Sequence, residues 1–309
     1  MREKFWAIIP FMFMGDDPVL TLSKSKLNAY IQCPEKYRLA YELEIRPLKS
    51  DPALVEGSCL HHLVESALVY QKHLELESIL ALASERYWEA TPIETCDYLT
   101  VENYYLAQRQ CLEEAKQFLA QIGELDYLSM EQHIAVPLTD PITMEQVPHI
   151  NLQGYIDLID VVAERERIID IKTASRKPNK GMANIALELT LYAYLNSYPK
   201  FADSLVVYLN LIRTKEPKIA WDESQRTMED YVELVGICKN VAVNILERRF
   251  WRNPGTHCSW CDYQSLCCRD YDRAQEKFGQ LALDCYLMAK DGKVVTLHEE
   301  VKTYETCCL

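Results

Sequence analysis

The stretches Gly154-Tyr155-Ile156-Asp157 and Asp170-Ile171-Lys172 decide the fold that this sequence predicts. The first lies in a predicted β-strand from Asn151 to Val162, and the second lies in a predicted strand from Ile168 to Thr173. A charged turn over Ala163 to Arg167 separates them, so we expect the two strands to form a hairpin. On either side of this hairpin, helical and strand patterns are mixed along the chain, which indicates an α/β fold.

Three charged residues of this hairpin are expected to meet. Side chains of a strand alternate between its faces, so Asp170 and Lys172 share one face while Ile171 points the other way. Asp157 lies opposite them if the register is suitable. Because charges resist burial unless they are paired or bind a metal, two carboxylates and an ammonium in one place predict a metal site. A hairpin with ordinary surface charges is the alternative, since the D-x-K spacing is short.

Cysteines form a second candidate site that joins distant parts of the chain. Cys258, Cys261 and Cys267 have the spacing C-x2-C-x5-C, and Cys33 lies far upstream. Closely spaced thiols indicate metal ligation, and a fourth ligand would complete either a zinc site or an iron–sulfur cluster. Cys33 is one candidate for that ligand and Cys268 is another. Small buried thiols without a metal are the alternative interpretation.

The order of these motifs resembles the RecB-type branch of the PD-(D/E)XK nuclease superfamily, especially the CRISPR-associated RecB-like exonucleases with an iron–sulfur cluster. The resemblance extends from about Leu22 to Cys267 and rests on five segments in family order. These are Leu22–Arg38, Gly57–His61, the hairpin with Asp157, Asp170 and Lys172, Glu188–Tyr192, and the cysteine triplet. The resemblance implies a restriction-endonuclease-like core, with a mixed β-sheet flanked by helices. It also implies a [4Fe-4S] cluster that joins the N- and C-terminal segments through Cys33, Cys258, Cys261 and Cys267.

The resemblance further implies how the hairpin would act. Asp157 and Asp170 would be the principal ligands of Mg2+ or Mn2+. The Ile171 carbonyl and the neutral imidazole of His61 would be further ligands. Lys172 would orient the attacking water or stabilise negative charge on the phosphate.

Other residues near these motifs have more than one interpretation. Glu188 stands where the family usually has glutamine, and its extra charge would strengthen metal binding or change specificity. Tyr192 would contact the DNA backbone or brace the site, and a plain core tyrosine is the alternative. Glu65 lies one helical turn from His61 and would support it, bind metal or simply face solvent. His62 faces about 100° away from His61 on an ideal helix.

The extent of the resemblance predicts the domain organisation. Residues 1–21 would form an N-terminal extension, residues 22–269 a RecB-like nuclease domain, and residues 270–309 an irregular tail of unassigned role. The domain would contain a helical insertion at about 74–125 and the cluster segment at about 250–269. Further helices are predicted at about 57–71, 184–196 and 227–248, and further strands at 127–136 and 203–212.

Composition restricts the setting in which the chain acts. The net charge of the 309 residues is −13, whereas proteins that grip nucleic acid usually have a basic surface. Local basic groups near Arg165, Arg176 and Arg248 offer a path for DNA, and a basic partner protein is the alternative. Twelve cysteines argue for a reducing, cytoplasmic compartment. The apolar segment Phe5–Met14 is too short to span a bilayer.

The charged hairpin predicts metal-dependent hydrolysis of phosphodiester bonds, and the resemblance implies a DNA exonuclease that acts on single-stranded ends or overhangs. DNA repair, phage DNA processing and CRISPR spacer processing are the processes that the resemblance suggests. An endonuclease of the same superfamily is the first alternative. A non-catalytic DNA-binding or assembly subunit is the second alternative. The acidic composition and Glu188 favour it, whereas the intact set of Asp157, Asp170 and Lys172 argues against it. Protein partners and a homo-oligomer are left open.

Overall fold

The computed structural model describes residues 19–70, 72–123, 125 and 127–290. The predicted apolar segment Phe5–Met14 and the end of the predicted tail lie outside the described residues. The described chain divides into two compact units, and two of the three boundaries between them fall within helices. The first unit comprises residues 19–24 and 51–238, and the second comprises residues 25–50 and 239–290.

A mixed sheet of six strands is the frame of the first unit. The strand order is β1-β3-β4-β5-β6, and β2 pairs with β3 outside this path. β1 runs parallel to β3 and β4 runs parallel to β5, whereas the other neighbours are antiparallel. The strands are β1 (Leu20–Ser23), β2 (Tyr127–Thr139), β3 (Gln146–Val162), β4 (Arg165–Ala174), β5 (Ser204–Ile212) and β6 (Lys218–Arg226).

Helices of the first unit pack on this sheet. The helix bounds in chain order are α1 (Lys24–Gln32), α2 (Pro34–Tyr37), α3 (Pro52–Tyr70), α4 (Leu76–Ala90), α5 (Val101–Ile122), α6 (Leu187–Ser197) and α7 (Met228–Leu246). Of these, α2, α1 from Ser25 onward and α7 from Lys239 onward belong to the second unit. One face of α3 carries Leu60, Leu63 and Val64, which are fully buried in the same core as Ile171 of β4. The burial of this apolar stripe fixes α3 beside β4, and thereby places the polar residues of α3 near the end of the hairpin.

A close contact holds α6 against β3. A Cβ atom on Gly154 would lie 3.0 Å from the side chains of both Leu195 and Tyr192. Glycine therefore allows the helix to approach the strand more closely than any other residue would. As a result, the first turns of α6 lie beside the strand that carries Asp157.

The second unit is helical and has its own core. In addition to residues of α1, α2 and α7, it contains a π-helical turn at Arg38–Glu42 and three further helices, α8 (Gln264–Cys268), α9 (Tyr271–Phe278) and α10 (Gln280–Lys290). Leu39, Leu266, Phe278 and Leu283 are buried together there. The prediction of an irregular tail is therefore wrong for residues 271–290. α9 and α10 are both short, and α9 is mostly polar, so neither helix has a strong apolar pattern in the sequence.

The predicted hairpin forms, with different boundaries. Both strands are longer than predicted, and the turn is only Ala163-Glu164 rather than Ala163–Arg167. The two turn residues have φ values of 50° and 65°, as a two-residue hairpin turn with left-handed central positions requires. Neither residue is the asparagine, aspartate or glycine that normally announces such a turn, which explains the error.

The predicted mixed sheet flanked by helices is confirmed. β1 and β6 are not among the predicted strands. β1 has four residues, and β6 has the charged sequence Lys-Ile-Ala-Trp-Asp-Glu-Ser-Gln-Arg without a continuous apolar alternation. In the part of the chain that is described, no helix has both the length and the apolar character that crossing a membrane requires.

Candidate active site and cysteine cavity

The candidate active site lies at a gap along one edge of β3. β1 pairs with this edge at residues 150–153, and β4 pairs with it at residues 158–162. Within the described chain, residues 154–157 therefore have no ladder partner on that edge. The Asp157 carboxylate bridges the gap, because its Oδ2 accepts a hydrogen bond of 2.7 Å from the Ile171 N–H. Strand ends that separate in this way leave room for a ligand among the acidic side chains.

Four charged side chains form a closed ring beside this gap, which we call the charged ring: Lys24, Asp170, Lys172 and Glu188. Asp170 lies 2.6 Å from Lys172 Nζ and 3.1 Å from Lys24 Nζ. Glu188 lies 3.0 Å from Lys172 Nζ and 3.2 Å from Lys24 Nζ. Positive and negative groups alternate around the ring, so its formal charge is zero.

Burial affects the two carboxylates of the charged ring differently. Asp170 is only 1% exposed, and this burial raises its pKa although Lys172 and Lys24 lower it in part. Burial by itself would also raise the pKa of Glu188, but the two lysines together lower it. Asp170 therefore bears the larger desolvation cost, and a cation bound there would gain the most from its negative charge.

Two tyrosines lie against the charged ring. Lys24 Nζ lies 5.5 Å from the centre of the Tyr192 ring, and Lys172 Nζ lies 5.4 Å from the centre of the Tyr208 ring. The Tyr208 hydroxyl donates a hydrogen bond to Glu188. Tyr192 is only 4% exposed. Its ring packs against the ammonium of Lys24 and presents little surface to a ligand.

A second set of ligand atoms lies on the other side of Asp157. His61 Nε2 is 3.0 Å from Asp157 Oδ2, and His61 Nδ1 is 2.7 Å from Glu65 Oε1. One ligand atom from each of these three residues lies within 4.8 Å of the other two. Burial by itself would lower the pKa of His61, but hydrogen bonds with Asp157 and Glu65 raise it to about 10. The imidazole therefore carries a proton that a metal ion would have to displace.

The chemistry of these donors fits a divalent cation. Carboxylate oxygens suit Mg2+ and Mn2+, and an imidazole is compatible with Mn2+ in a mixed site. The Asp157 carboxylate accepts the N–H of Ile171, the residue after Asp170, so the two predicted carboxylate ligands lie near the same part of β4, and their binding of one ion stays a prediction. Ile171 contributes its N–H to Asp157, and metal ligation by its carbonyl stays a prediction.

Sequence reasoning missed three residues of this site. Lys24 lies within the N-terminal motif, in Ser23-Lys24-Ser25, so the motif itself contained a signal. Tyr208 lies in a predicted strand but belongs to no motif. Glu131 of β2 is an exposed residue with a φ of 46°. Partial burial of its carboxyl group and a hydrogen bond with Glu65 raise the pKa of Glu131 to about 8.

The candidate cysteine ligands gather in the second unit. Cys33, Cys258, Cys261 and Cys267 line one cavity of about 270 Å³, which we call the cysteine cavity. Cys268 lines it as well, but it is exposed whereas the other four are half-buried. The pKa of Cys267 is raised to about 11, mainly by burial. Arg252 opposes this shift, and the charges of Glu35, Cys261 and Cys33 add to it. The thiols are thus close enough to influence one another.

The shared cavity bears on what these thiols hold. Four thiols around one cavity suit either a zinc ion or an iron–sulfur cluster. His257 Nε2 is buried in the same cavity and has no hydrogen-bond partner among the described residues.

One family model and several solved structures match the chain. Residues 21–268 match the family model of the PD-(D/E)XK nuclease superfamily, and this range contains both the charged ring and the cysteine cavity. The crystal structure of SSO0001 is 14% identical, with a TM-score of 0.38 over 85% of this chain and 92% of that one. A proposed exonuclease from Eubacterium rectale is 12% identical, with a TM-score of 0.47 over 81% of this chain and 87% of that one. No curated protein matches the sequence.

Proposed function

Since the chain belongs to the PD-(D/E)XK nuclease superfamily, we propose that it is a metal-dependent DNA exonuclease acting on single-stranded ends or overhangs. Membership in the superfamily implies a hydrolase that acts on nucleic acid. The observation that carries the proposal is the gap beside Asp157, where Asp170, Lys172 and His61 also meet. Two carboxylates, an ammonium and an imidazole at one partly open place are what phosphodiester hydrolysis needs from a protein.

In this proposal, Asp157, Asp170 and His61 hold Mg2+ or Mn2+, and the Ile171 carbonyl adds a backbone ligand. Such an ion, when bound, activates the phosphodiester and the attacking water. The Ile171 N–H keeps the Asp157 carboxylate in place. Glu65 holds the far side of the imidazole of His61 and thereby orients the ring.

Lys172 is the group that acts on the substrate. Its side chain is 31% exposed and its ammonium is held by Asp170 and Glu188. From that position it stabilises negative charge that develops on the phosphate, or orients the water. Glu188 and Tyr192 shape the site rather than take part in the reaction, because the first holds the lysines and the second is buried.

Two observations support DNA as the substrate. The motif order resembles RecB-like exonucleases, which favours DNA ends and a role in DNA repair, phage DNA processing or CRISPR spacer processing. The loop after β4 carries three exposed cations, Arg176, Lys177 and Lys180, within eight residues of Lys172. Cations in this position can track a phosphate backbone despite the acidic net charge.

We also propose a [4Fe-4S] cluster on Cys33, Cys258, Cys261 and Cys267. The cavity that they share supports it, together with the resemblance of the motif order to iron–sulfur nucleases. A cluster would close a loop of more than two hundred residues, which is entropically costly without a covalent link. Every cysteine in the described part of the chain is a free thiol, which supports the proposed cytoplasmic, reducing location.

The test of the nuclease proposal compares end-labelled single-stranded and double-stranded DNA, linear and circular, with added Mn2+. Wild-type protein should degrade linear single strands and overhangs, whereas Asp170→Ala and Lys172→Ala should reduce cleavage at least 100-fold. Lys218→Ala, an exposed lysine of β6, is the matched control and should cleave normally.

The alternatives give different results in the same assay. Cleavage of circular DNA would show an endonuclease. Binding of DNA without any cleavage in Mg2+ or Mn2+ would show a non-catalytic subunit. Full activity of Asp170→Ala or Lys172→Ala would remove the assignment of the active site.

A further inference from the structure

Lys24 is the member of the charged ring that the proposed reaction leaves without a role. It is the first residue of α1 and follows β1 directly. Ser23, at the end of β1, pairs with Gln153 of β3, so the main chain delivers Lys24 to one end of the gap. Its position in the site is therefore fixed by strand pairing and does not depend on a flexible loop.

Glu188 is the second unusual member, since its position usually holds glutamine in the family that the sequence resembles. We propose that Lys24 and Glu188 form a compensating charge pair, in which Lys24 is a positioning residue that keeps Lys172 available to the substrate. The inference deepens the proposed function and rests on it, because it concerns the same active site.

The contacts of Glu188 show why compensation is needed. One carboxylate oxygen contacts Lys172 at 3.0 Å and the other contacts Lys24 at 3.2 Å. The Glu188 side chain is 14% exposed, so little water is available to solvate its charge. Without Lys24, Lys172 would be the single ammonium between two carboxylates, and both would pull it away from the phosphate.

The pKa of Lys24 agrees with this arrangement. Burial by itself would lower the pKa, but the charges of Asp170 and Glu188 outweigh burial and raise it. Lys24 is therefore a permanent cation at any physiological pH. Its ammonium also rests on the Tyr192 ring, which adds a cation–π contact and limits the directions in which it moves.

Formal charge makes the proposal quantitative. The intact ring sums to zero, Lys24→Met leaves −1, Glu188→Gln leaves +1, and the double variant returns to zero. A divalent cation near Asp170 should bind more tightly when the ring charge is −1, as in Lys24→Met, and more weakly when it is +1, as in Glu188→Gln. Groups in direct contact commonly show coupling that corresponds to about a tenfold change. We therefore expect Mn2+ affinity to rise about tenfold in Lys24→Met and to fall about tenfold in Glu188→Gln.

The experiment is a double-mutant cycle with two readouts. Mn2+ binding to the DNA-free protein is measured by calorimetry, and kcat and KM are measured with single-stranded DNA. Both single variants should have a lower kcat, and the double variant should recover kcat and Mn2+ affinity toward the wild-type values. Lys24→Arg, which keeps the charge, should bind Mn2+ much as the wild type does, and Lys218→Met is the matched surface control.

If the kcat losses of the two single variants add up in the double variant, or if Lys24→Met leaves the Mn2+ affinity unchanged, the pair is overturned. If Lys24→Met does not fold, Lys24→Gln in the same cycle decides the matter, because it also removes the charge. The proposed function fails separately, by full activity of Asp170→Ala. An inactive Asp170→Ala together with additive losses of kcat in the cycle would remove only the role of Lys24.

Discussion

Asp157 illustrates how a single carboxylate organises the site. Its Oδ2 accepts the Ile171 N–H at 2.7 Å and also lies 3.0 Å from His61 Nε2. The main chain of β4 thus fixes the atom that faces the imidazole. A carboxylate held in this way loses little conformational entropy when it binds an ion, which favours binding.

His61 makes metal binding depend on pH. Its pKa is raised from 6.5 to about 10, so the folded protein holds the proton more tightly than the unfolded chain does. The resulting stabilisation of the metal-free protein is complete below pH 6.5 and is lost as the pH rises toward 10. An ion that binds His61 must displace this proton.

We therefore predict that the apparent Mn2+ affinity rises between pH 6.5 and 9, by about tenfold per pH unit if one proton is released. Calorimetry in buffers of different ionisation enthalpy would count the released protons. His61→Gln, which has no such proton, should show a much flatter dependence. An affinity that is equally flat in the wild-type protein would exclude His61 as a ligand.

The gap along β3 is a property of strand arrangement and not of any single residue. β1 and β4 share one edge of β3 end to end, while β2 occupies the other edge. Lys24 follows the end of β1, and Asp170 lies just beyond the last pair between β4 and β3. Two strands that meet one edge from opposite ends thereby bring a lysine and an aspartate 146 positions apart into contact.

β6 supports the site through a buried arginine. Arg226 is only 1% exposed, and it donates hydrogen bonds to Thr190 Oγ1 and to the carbonyls of Ala183 and Ala186. These groups lie just before and within the first turn of α6, the helix that carries Glu188. The arginine therefore holds the start of α6 on the sheet.

We predict that Arg226→Ala lowers the free energy of unfolding by about 3–5 kcal/mol, because buried partners lose their donors. Urea denaturation measures this loss, with Lys218→Ala on the same strand as the control. Since Lys218 is 65% exposed, its removal should change the free energy by less than about 0.5 kcal/mol. A small effect of Arg226→Ala would show that α6 is held by its apolar contacts alone.

The sequence identified the hairpin and the residues of its motifs, because short motifs are local. The structure brings Asp157, Asp170, Lys172, Glu188 and His61 together as the motif order suggests. Lys24 was missed because its place depends on the register of β1 with β3, which no local pattern encodes. Glu131 was missed for the same reason, since it reaches Glu65 only through the pairing of β2 with β3.

The molecule as a whole combines a charged site on a sheet with a cysteine cavity in a separate helical unit. The four proposed ligands of the cavity come from residue 33 and from residues 258–267, which are far apart in sequence. The second unit is small, and the apolar core of its described part has eleven buried residues, among them Leu39, Leu266 and Phe278. Small units of this kind commonly depend on a metal or cluster for stability.

We predict that Cys258→Ser removes bound iron and lowers the stability of the second unit. Wild-type protein should contain about four iron atoms per chain and absorb near about 400 nm, as iron–sulfur proteins do. Cys268→Ser is the matched control, because Cys268 is exposed and the proposal assigns its neighbour Cys267, not Cys268, as the cluster ligand. Metal analysis, absorption and thermal unfolding of the three proteins check the prediction. Stoichiometric zinc in a colourless wild-type protein would contradict the cluster. Loss of iron in Cys268→Ser would show that Cys268, and not Cys267, is the ligand.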